Sequence, residues 1–218
     1  MRPGIVCGLR SEARALGLPA AIPLRVAGAR PEAAEAAARD LAARGVHALL
    51  SVGLAGGLDP ALAAGALIVP EVVVDQSGAC HPSSAVLATA FGLPLTRHRL
   101  LGVDSPVTDP KVKRALGARF GAHAVDTESH RVAAVAHAAG LPFLAVRAIA
   151  DPVRHRLPLS ALSAIRPDGT VDVKATWARL LARPQDLPAL LGLGWDSARA
   201  HATLRRVGAR LARALGPD

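Results

Sequence analysis

The sequence predicts an α/β fold: a single domain with a central mixed, mostly parallel sheet flanked by helices, followed by a helical C-terminal extension. Three observations carry this. Apolar runs of strand length alternate with segments of helical spacing up to Asp151, the pattern of a sheet covered on both faces. The chain has 218 residues, 51% of them apolar, enough for one well-buried core but cramped for two. Beyond Asp151 the chain becomes Pro-punctuated and basic, with 11 Lys/Arg against 6 Asp/Glu from Asp151 onward. The expected organisation is a core over residues 1–152 and a helical, basic extension of the same domain over 153–218.

Residues 4–8 read as a short buried strand, followed by a helix from about Ser11. Residues 31–44 carry Pro31 in the first turn, Glu32 and Glu35 early and Gly45 at the end, which are helix start and stop signals. Residues 47–52 form a strand that runs into a glycine loop. Residues 66–69 and 72–74 are strand material split by Pro70, and 98–103 is a weaker strand. Residues 111–120 look helical, and 122–125 is a strand. From Thr127, Val132, Val135, Ala136 and Ala139 follow helical spacing until Gly140. Residues 143–146 form the next strand. The final helix, residues 197–215, sets Leu204, Val207, Leu211 and Leu215 on one side, with Arg199, Arg206, Arg210 and Arg213 largely on another.

Composition excludes several classes of protein. Cys7 and Cys80 form no CxxC pair, so neither a disulfide framework nor a redox motif is expected, and a reducing cytoplasm fits. Cys7 lies in an apolar run and reads as a core residue. The eight His residues make no HExxH motif, and no metal site is expected. Arg10, Glu12 and Arg14 interrupt any apolar leader, and no run of about 18 apolar residues suggests a membrane span. With two Trp, three Phe and no Tyr, a pocket that sandwiches a base between rings is not expected. The net charge of +9 fits nucleic acid, an anionic membrane or an anionic substrate equally well.

Three distant segments each bring polar chemistry to the end of an apolar run: Gly53-Leu54-Ala55-Gly56-Gly57-Leu58, Val125-Asp126-Thr127-Glu128, and Arg147-Ala148-Ile149-Ala150-Asp151. Carboxyl ends of strands are where α/β proteins bind ligands. A lone Glu128 at a helix start would most simply complement the helix dipole. Its paired oxygens also suit two vicinal hydroxyls of a ribose. Asp-Pro at 151–152 is usually a turn. At a strand end, however, a desolvated carboxyl can hold a proton and act as a general acid. The glycines could mark only a tight turn, or their N–H groups could cradle an anion.

These segments, with Glu12 after the first strand, resemble the purine nucleoside phosphorylase and nucleosidase superfamily, which includes the methylthioadenosine/S-adenosylhomocysteine nucleosidases. Arg156-Leu157-Pro158, Ile165-Arg166-Pro167-Asp168-Gly169-Thr170 and the Arg-rich tail resemble its hopanoid-associated phosphorylase branch more specifically. The resemblance implies a nucleoside phosphorylase/hydrolase-like fold and cleavage of the N-glycosidic bond of adenosylhopane. In that scheme Asp151 protonates the purine, Glu128 holds the ribose diol, and Glu12 and Arg147 place the nucleophile. Thr127, Gly56, Gly57, Leu54, Ser105 and Pro106 line the substrate site, while Gly8, Gly53, Leu54 and Arg147 line the nucleophile pocket.

The chain departs from relatives at several of these positions. Leu54 stands where many have Ser, Ser51 where phosphorylases often have Arg, Pro106 where nucleosidases place an aromatic ring, and Thr127 where Met is common. The losses weaken a phosphate site more than the carboxylates and lean towards water as nucleophile. No cofactor is expected, with inorganic phosphate the one candidate co-substrate. A homo-oligomer, foremost a dimer, is implied. The basic C-terminal helix suggests either packing on the sheet or peripheral contact with an anionic membrane, and no nucleic-acid partner is expected. Two alternatives are a nucleosidase or phosphorylase of a small soluble nucleoside such as methylthioadenosine, and a non-catalytic nucleotide- or nucleic-acid-binding module.

Overall fold

In the computed structural model, which describes residues 1–155, 166, 168–170 and 187–216, strands and helices alternate as the apolar pattern predicts. They run β1 (Pro3–Cys7), α1 (Arg10–Leu16), β2 (Leu24–Val26), α2 (Pro31–Ala43), β3 (Ala48–Gly57), β4 (Leu67–Ile68), β5 (Pro70–Val74) and β6 (Cys80–Pro82). There follow α3 (Ala85–Ala90), β7 (Thr96–Gly102), α4 (Pro110–Phe120), β8 (Ala124–Asp126), α5 (Ser129–Ala138), β9 (Phe143–Asp151) and α6 (Leu187–Leu215). Among the described residues they form one mixed sheet ordered β2-β1-β3-β8-β7-β5-β6, with β9 pairing β3 and β4. β3 runs parallel to β1 and β9, and antiparallel to β8 at its end.

Side-chain alternation on β3 and β9 divides the core. Leu49, Ala55, Phe143, Ala145 and Ile149 face α2 and α5, where Ala34, Ala38, Leu41, Val132 and Ala136 cover them. Leu50, Val52, Leu144, Val146 and Ala148 face the other way, against Leu16 of α1, Leu87 of α3, and Leu204, Val207 and Leu211 of α6. All nine residues of β9 are buried. Its odd positions therefore share a face with α5, and Arg147 is one of them.

Several expectations need revision. The glycine segment is not a loop: β3 continues through Gly57, because β9 pairs with it as far as Gly56↔Asp151 and β8 closes on Gly56 and Gly57. β9 likewise extends five residues past the apolar run. α5 begins at Ser129, with Glu128 as its N-cap residue, and α6 begins ten residues before Ser197. Pro70 opens β5 rather than interrupting a strand. β2, β6 and α3 were not anticipated. They are three, three and six residues long, too short for a period to register.

The apolar side of α6 lies on the sheet. Leu204→Ala, at a fully buried position, is expected to destabilise the protein by about 2–5 kcal/mol. Trp195→Ala, 74% exposed on the same helix, should change stability by no more than about 0.5 kcal/mol. Urea unfolding of both variants checks this.

Candidate active site

Arg147 is the largest fully buried side chain, and every part of its guanidinium is engaged. Nε donates to Asp126 Oδ2 at 2.6 Å, Nη2 to Ser51 Oγ at 2.6 Å, and Nη1 to the carbonyl of Val146 at 3.0 Å. Asp126 also accepts from the hydroxyl of Ser129 at 2.6 Å. One cation thus ties β9, β3 and the β8–α5 junction together. Burial alone would lower its pKa, but Asp126, Glu128 and Glu12 raise it, so Arg147 stays charged.

Two further carboxyls close on this hub. Glu12 of α1 is buried, and accepts from the Leu9 N–H at 2.9 Å with one oxygen and the Leu54 N–H at 2.9 Å with the other. Glu128 Oε2 lies 3.8 Å from Arg147 Nη2, and its Oε1 accepts from the Thr127 hydroxyl at 2.9 Å. Glycine makes the approach feasible. A Cβ on Gly8 would come within 2.9 Å of Glu128 Oε1 and 3.4 Å of Glu12 Oε2, and one on Gly53 within 2.8 Å of Glu12 Oε2. Burial raises the pKa of Glu12. Burial, then the neighbouring Asp126, push Glu128 up to about 8 despite Arg147.

Asp151 ends β9 opposite Gly56, where a Cβ would lie 3.7 Å from its Oδ2. That oxygen pairs at 2.5 Å with Lys113 Nζ of α4. The other, Oδ1, is buried and accepts no hydrogen bond among the described residues. Burial raises the Asp151 pKa, and the Lys113 ammonium opposes that rise. Topology spaces the acids. β8 enters antiparallel at Gly57 and Gly56, and the chain beyond it brings Glu128 against Gly8. Glu12 then meets β3 at Gly53 and Asp151 meets it at Gly56, about 10 Å apart at the strand rise. That spacing accommodates a sugar plus a bicyclic base.

Of the other expected residues, Gly57 lies against Pro152 and Val153. Leu54 contributes its N–H, but to Glu12 rather than to a ligand. Ser105 and Pro106 are exposed on the turn after β7. The neighbouring Asp104 pairs there with His130 and Arg131. Sequence reasoning missed the partnership of Asp126 and Ser51 with Arg147, and it missed Lys113 altogether. Asp126 sat inside a quoted motif, and its strand-end position was the available signal. A cavity of about 360 Å³ opens elsewhere, lined by Leu58, Asp59, Arg114, Gly117 and His123 among others. It includes none of Glu12, Glu128 or Asp151.

Comparison with solved structures places the mixed α/β sheet and its flanking helices in the nucleoside phosphorylase/hydrolase fold. The sequence model of the family described as Phosphorylase superfamily matches residues 83–181. Futalosine hydrolase of Helicobacter pylori superposes with a TM-score of 0.70 at 16% identity, covering 98% of this chain and 97% of that one. The 5′-methylthioadenosine/S-adenosylhomocysteine nucleosidases of H. pylori and Campylobacter jejuni give TM-scores of 0.70 and 0.71 at 16% and 14% identity. They cover 98% and 99% of this chain and 98% of each of theirs. No curated protein matches the chain in sequence.

Because folding raises the Glu128 pKa, the folded state holds its proton more tightly than the unfolded chain. That contribution is complete below about pH 4.5 and is lost as pH climbs through about 8. Glu128→Gln should therefore match the wild-type Tm near pH 5 and exceed it near pH 8, as read by thermal melts across that range. Gly53→Ala must displace Glu12, and is expected to abolish any chemistry there while the far-UV circular dichroism spectrum stays unchanged.

Proposed function

We propose that this protein cleaves the N-glycosidic bond of a purine nucleoside, with water as nucleophile. The observation that carries the reading is the pair of carboxyl groups, Glu12 and Glu128, drawn against Gly8 and Gly53, with Asp151 at the end of β9 opposite Gly56. Glu128 binds the ribose hydroxyls. Asp151 gives its proton to the purine nitrogen as the bonding electrons of C1′–N9 move onto the base. Glu12, whose pKa burial raises, takes a proton from the water whose oxygen bonds to C1′. Carboxylates around the sugar favour the positive charge that develops there. Inorganic phosphate suits the site less well. The Leu54 N–H and the Arg147 donors are already engaged, and a dianion would face two acids.

For the substrate we favour adenosylhopane, on the branch resemblance of residues 156–158 and 165–170. Residues 156–158, 165 and 167 lie outside the described residues. Gly169 accepts a hydrogen bond from the Arg10 N–H at 3.0 Å, and a Cβ there would lie 3.3 Å from the Gly8 carbonyl, which sets this segment at the Glu12–Glu128 end. A small soluble nucleoside is the second reading, favoured by the methylthioadenosine nucleosidases among the structural neighbours. The proposal includes a cytoplasmic homodimer that touches anionic membrane through the exposed Trp195, Arg199, Arg206, Arg210 and Arg213 of α6. No helix among the described residues is long and apolar enough to cross a membrane.

The test is adenine release from adenosylhopane in liposomes and from methylthioadenosine, each with and without phosphate. Release that ignores phosphate and yields a free ribosyl product is expected, faster on the lipid. Strict dependence on phosphate would make the enzyme a phosphorylase. Salt-dependent RNA or DNA binding with no adenine release would make it a binding module. Asp151→Asn should lower turnover by about 10²–10⁴-fold. Its Tm should fall too, because Lys113 loses its counter-charge.

A further inference from the structure

Lys113 is the one residue of α4 that is buried, and its side chain is wholly inaccessible. A fully buried lysine is rare unless paired. On a helix facing the sheet that position would ordinarily hold an apolar side chain. The ammonium sits instead inside a cage of oxygens: Asp151 Oδ2 at 2.5 Å and the backbone carbonyls of Asp151 at 3.5 Å, Pro152 at 3.4 Å and His155 at 3.1 Å. It therefore fixes both the carboxyl and the backbone that follows it. The opposite carboxyl oxygen remains buried and unpartnered among the described residues, a costly arrangement unless something is to bind there.

We propose that Lys113 is the positioning residue of the proton-donating acid, clamping Asp151 Oδ2 so that Oδ1 delivers the proton to the departing base. The inference rests on the reading of Asp151 given above. When C1′–N9 breaks, its electron pair passes to the purine and the proton of Asp151 moves to the ring nitrogen. Asp151 is left as a carboxylate in a poorly solvated place, and the ammonium beside it offsets that charge. The other titratable groups near Asp151 among the described residues are His155 and Asp196 of α6, which lie 2.8 Å apart. Lys113 is the cation in contact with the acid.

The test follows adenine release against pH in the full chain for wild type, Lys113→Met and Lys113→Arg, with Tm measured alongside. The rate needs protonated Asp151, so the alkaline limb of kcat reports its pKa. Removing a neighbouring cation raises an acid's pKa. Lys113→Met should therefore move that limb up by about one pH unit or more and lower kcat at least about 10-fold, with KM little changed. Lys113→Arg keeps the charge but cannot reproduce the ammonium's cage. Its limb should stay at the wild-type pH, with kcat between the other two. A folded Lys113→Met with wild-type kcat or limb overturns the proposal, as does Lys113→Arg performing no better than Lys113→Met. If Lys113→Met does not fold, Lys113→Arg decides: reduced kcat with an unmoved limb supports the role, and wild-type kcat overturns it. Failure of both to fold makes the lysine purely structural and also overturns it. Wild type that releases no adenine from any nucleoside sinks the parent reading instead, an outcome visible before any variant is compared.

Discussion

A guanidinium buried in the middle of β9 sets the geometry of everything around it. Arg147 reaches Ser51 on the neighbouring strand and Asp126 where β8 hands over to α5, so three separate stretches of chain share one cation. Replacing such a buried network with apolar side chains often costs little stability, whereas removing one partner costs about 3–5 kcal/mol. The network is therefore best understood as fixing register. With Asp126 held, the two residues after it bring the Glu128 carboxyl against Gly8. The distance between the Glu12–Glu128 pair and Asp151 is then set by the rise of β3.

The glycines serve that same geometry through space rather than through backbone freedom. Gly8, Gly53 and Gly56 are not among the residues with positive φ, so any residue could take their backbone conformation. At Gly8 and Gly53 only glycine leaves room for what lies above: Glu128 and Glu12 over Gly8, and Glu12 over Gly53. At Gly56 the tight neighbour is Val125, and Asp151 stands at ordinary contact distance. A glycine-rich segment at a strand end is usually read for its N–H groups. Here β-pairing continues through the segment, and one of its N–H groups is spent on Glu12. This favours acids near the sugar over a bound anion.

Legibility in the sequence followed the strength of local pattern. The long apolar strands and the periodic helices α2 and α5 were visible, because burial on a known face leaves a period of two or 3.6. β2, β6 and α3 were not, since their existence depends on pairing and capping partners such as Ile5 beside Leu24 and Ser84 before α3. At the candidate site, Glu12, Glu128, Arg147 and Asp151 were singled out because each follows an apolar run, and all four are buried. Lys113 was missed for a physical reason. A lysine on a helix that also carries Lys111, Arg114 and Arg119 reads as one more solvated charge, and only the fold of α4 against the exit of β9 reveals its carbonyl cage.

The balance of charge distinguishes the two ends of the site. Around Arg147 stand Asp126, Glu128 and Glu12, three carboxyls to one cation, and burial raises the pKa of Glu12 and of Glu128. Such an environment resists further negative charge and favours a positive one. That suits a sugar losing electron density at C1′ better than an incoming phosphate. At the other end Asp151 and Lys113 are matched one to one, so a proton can leave the acid without stranding an uncompensated carboxylate. In the proposed reaction bond cleavage moves electrons from sugar to base, and the protein's fixed charges are graded along β3 in the same sense.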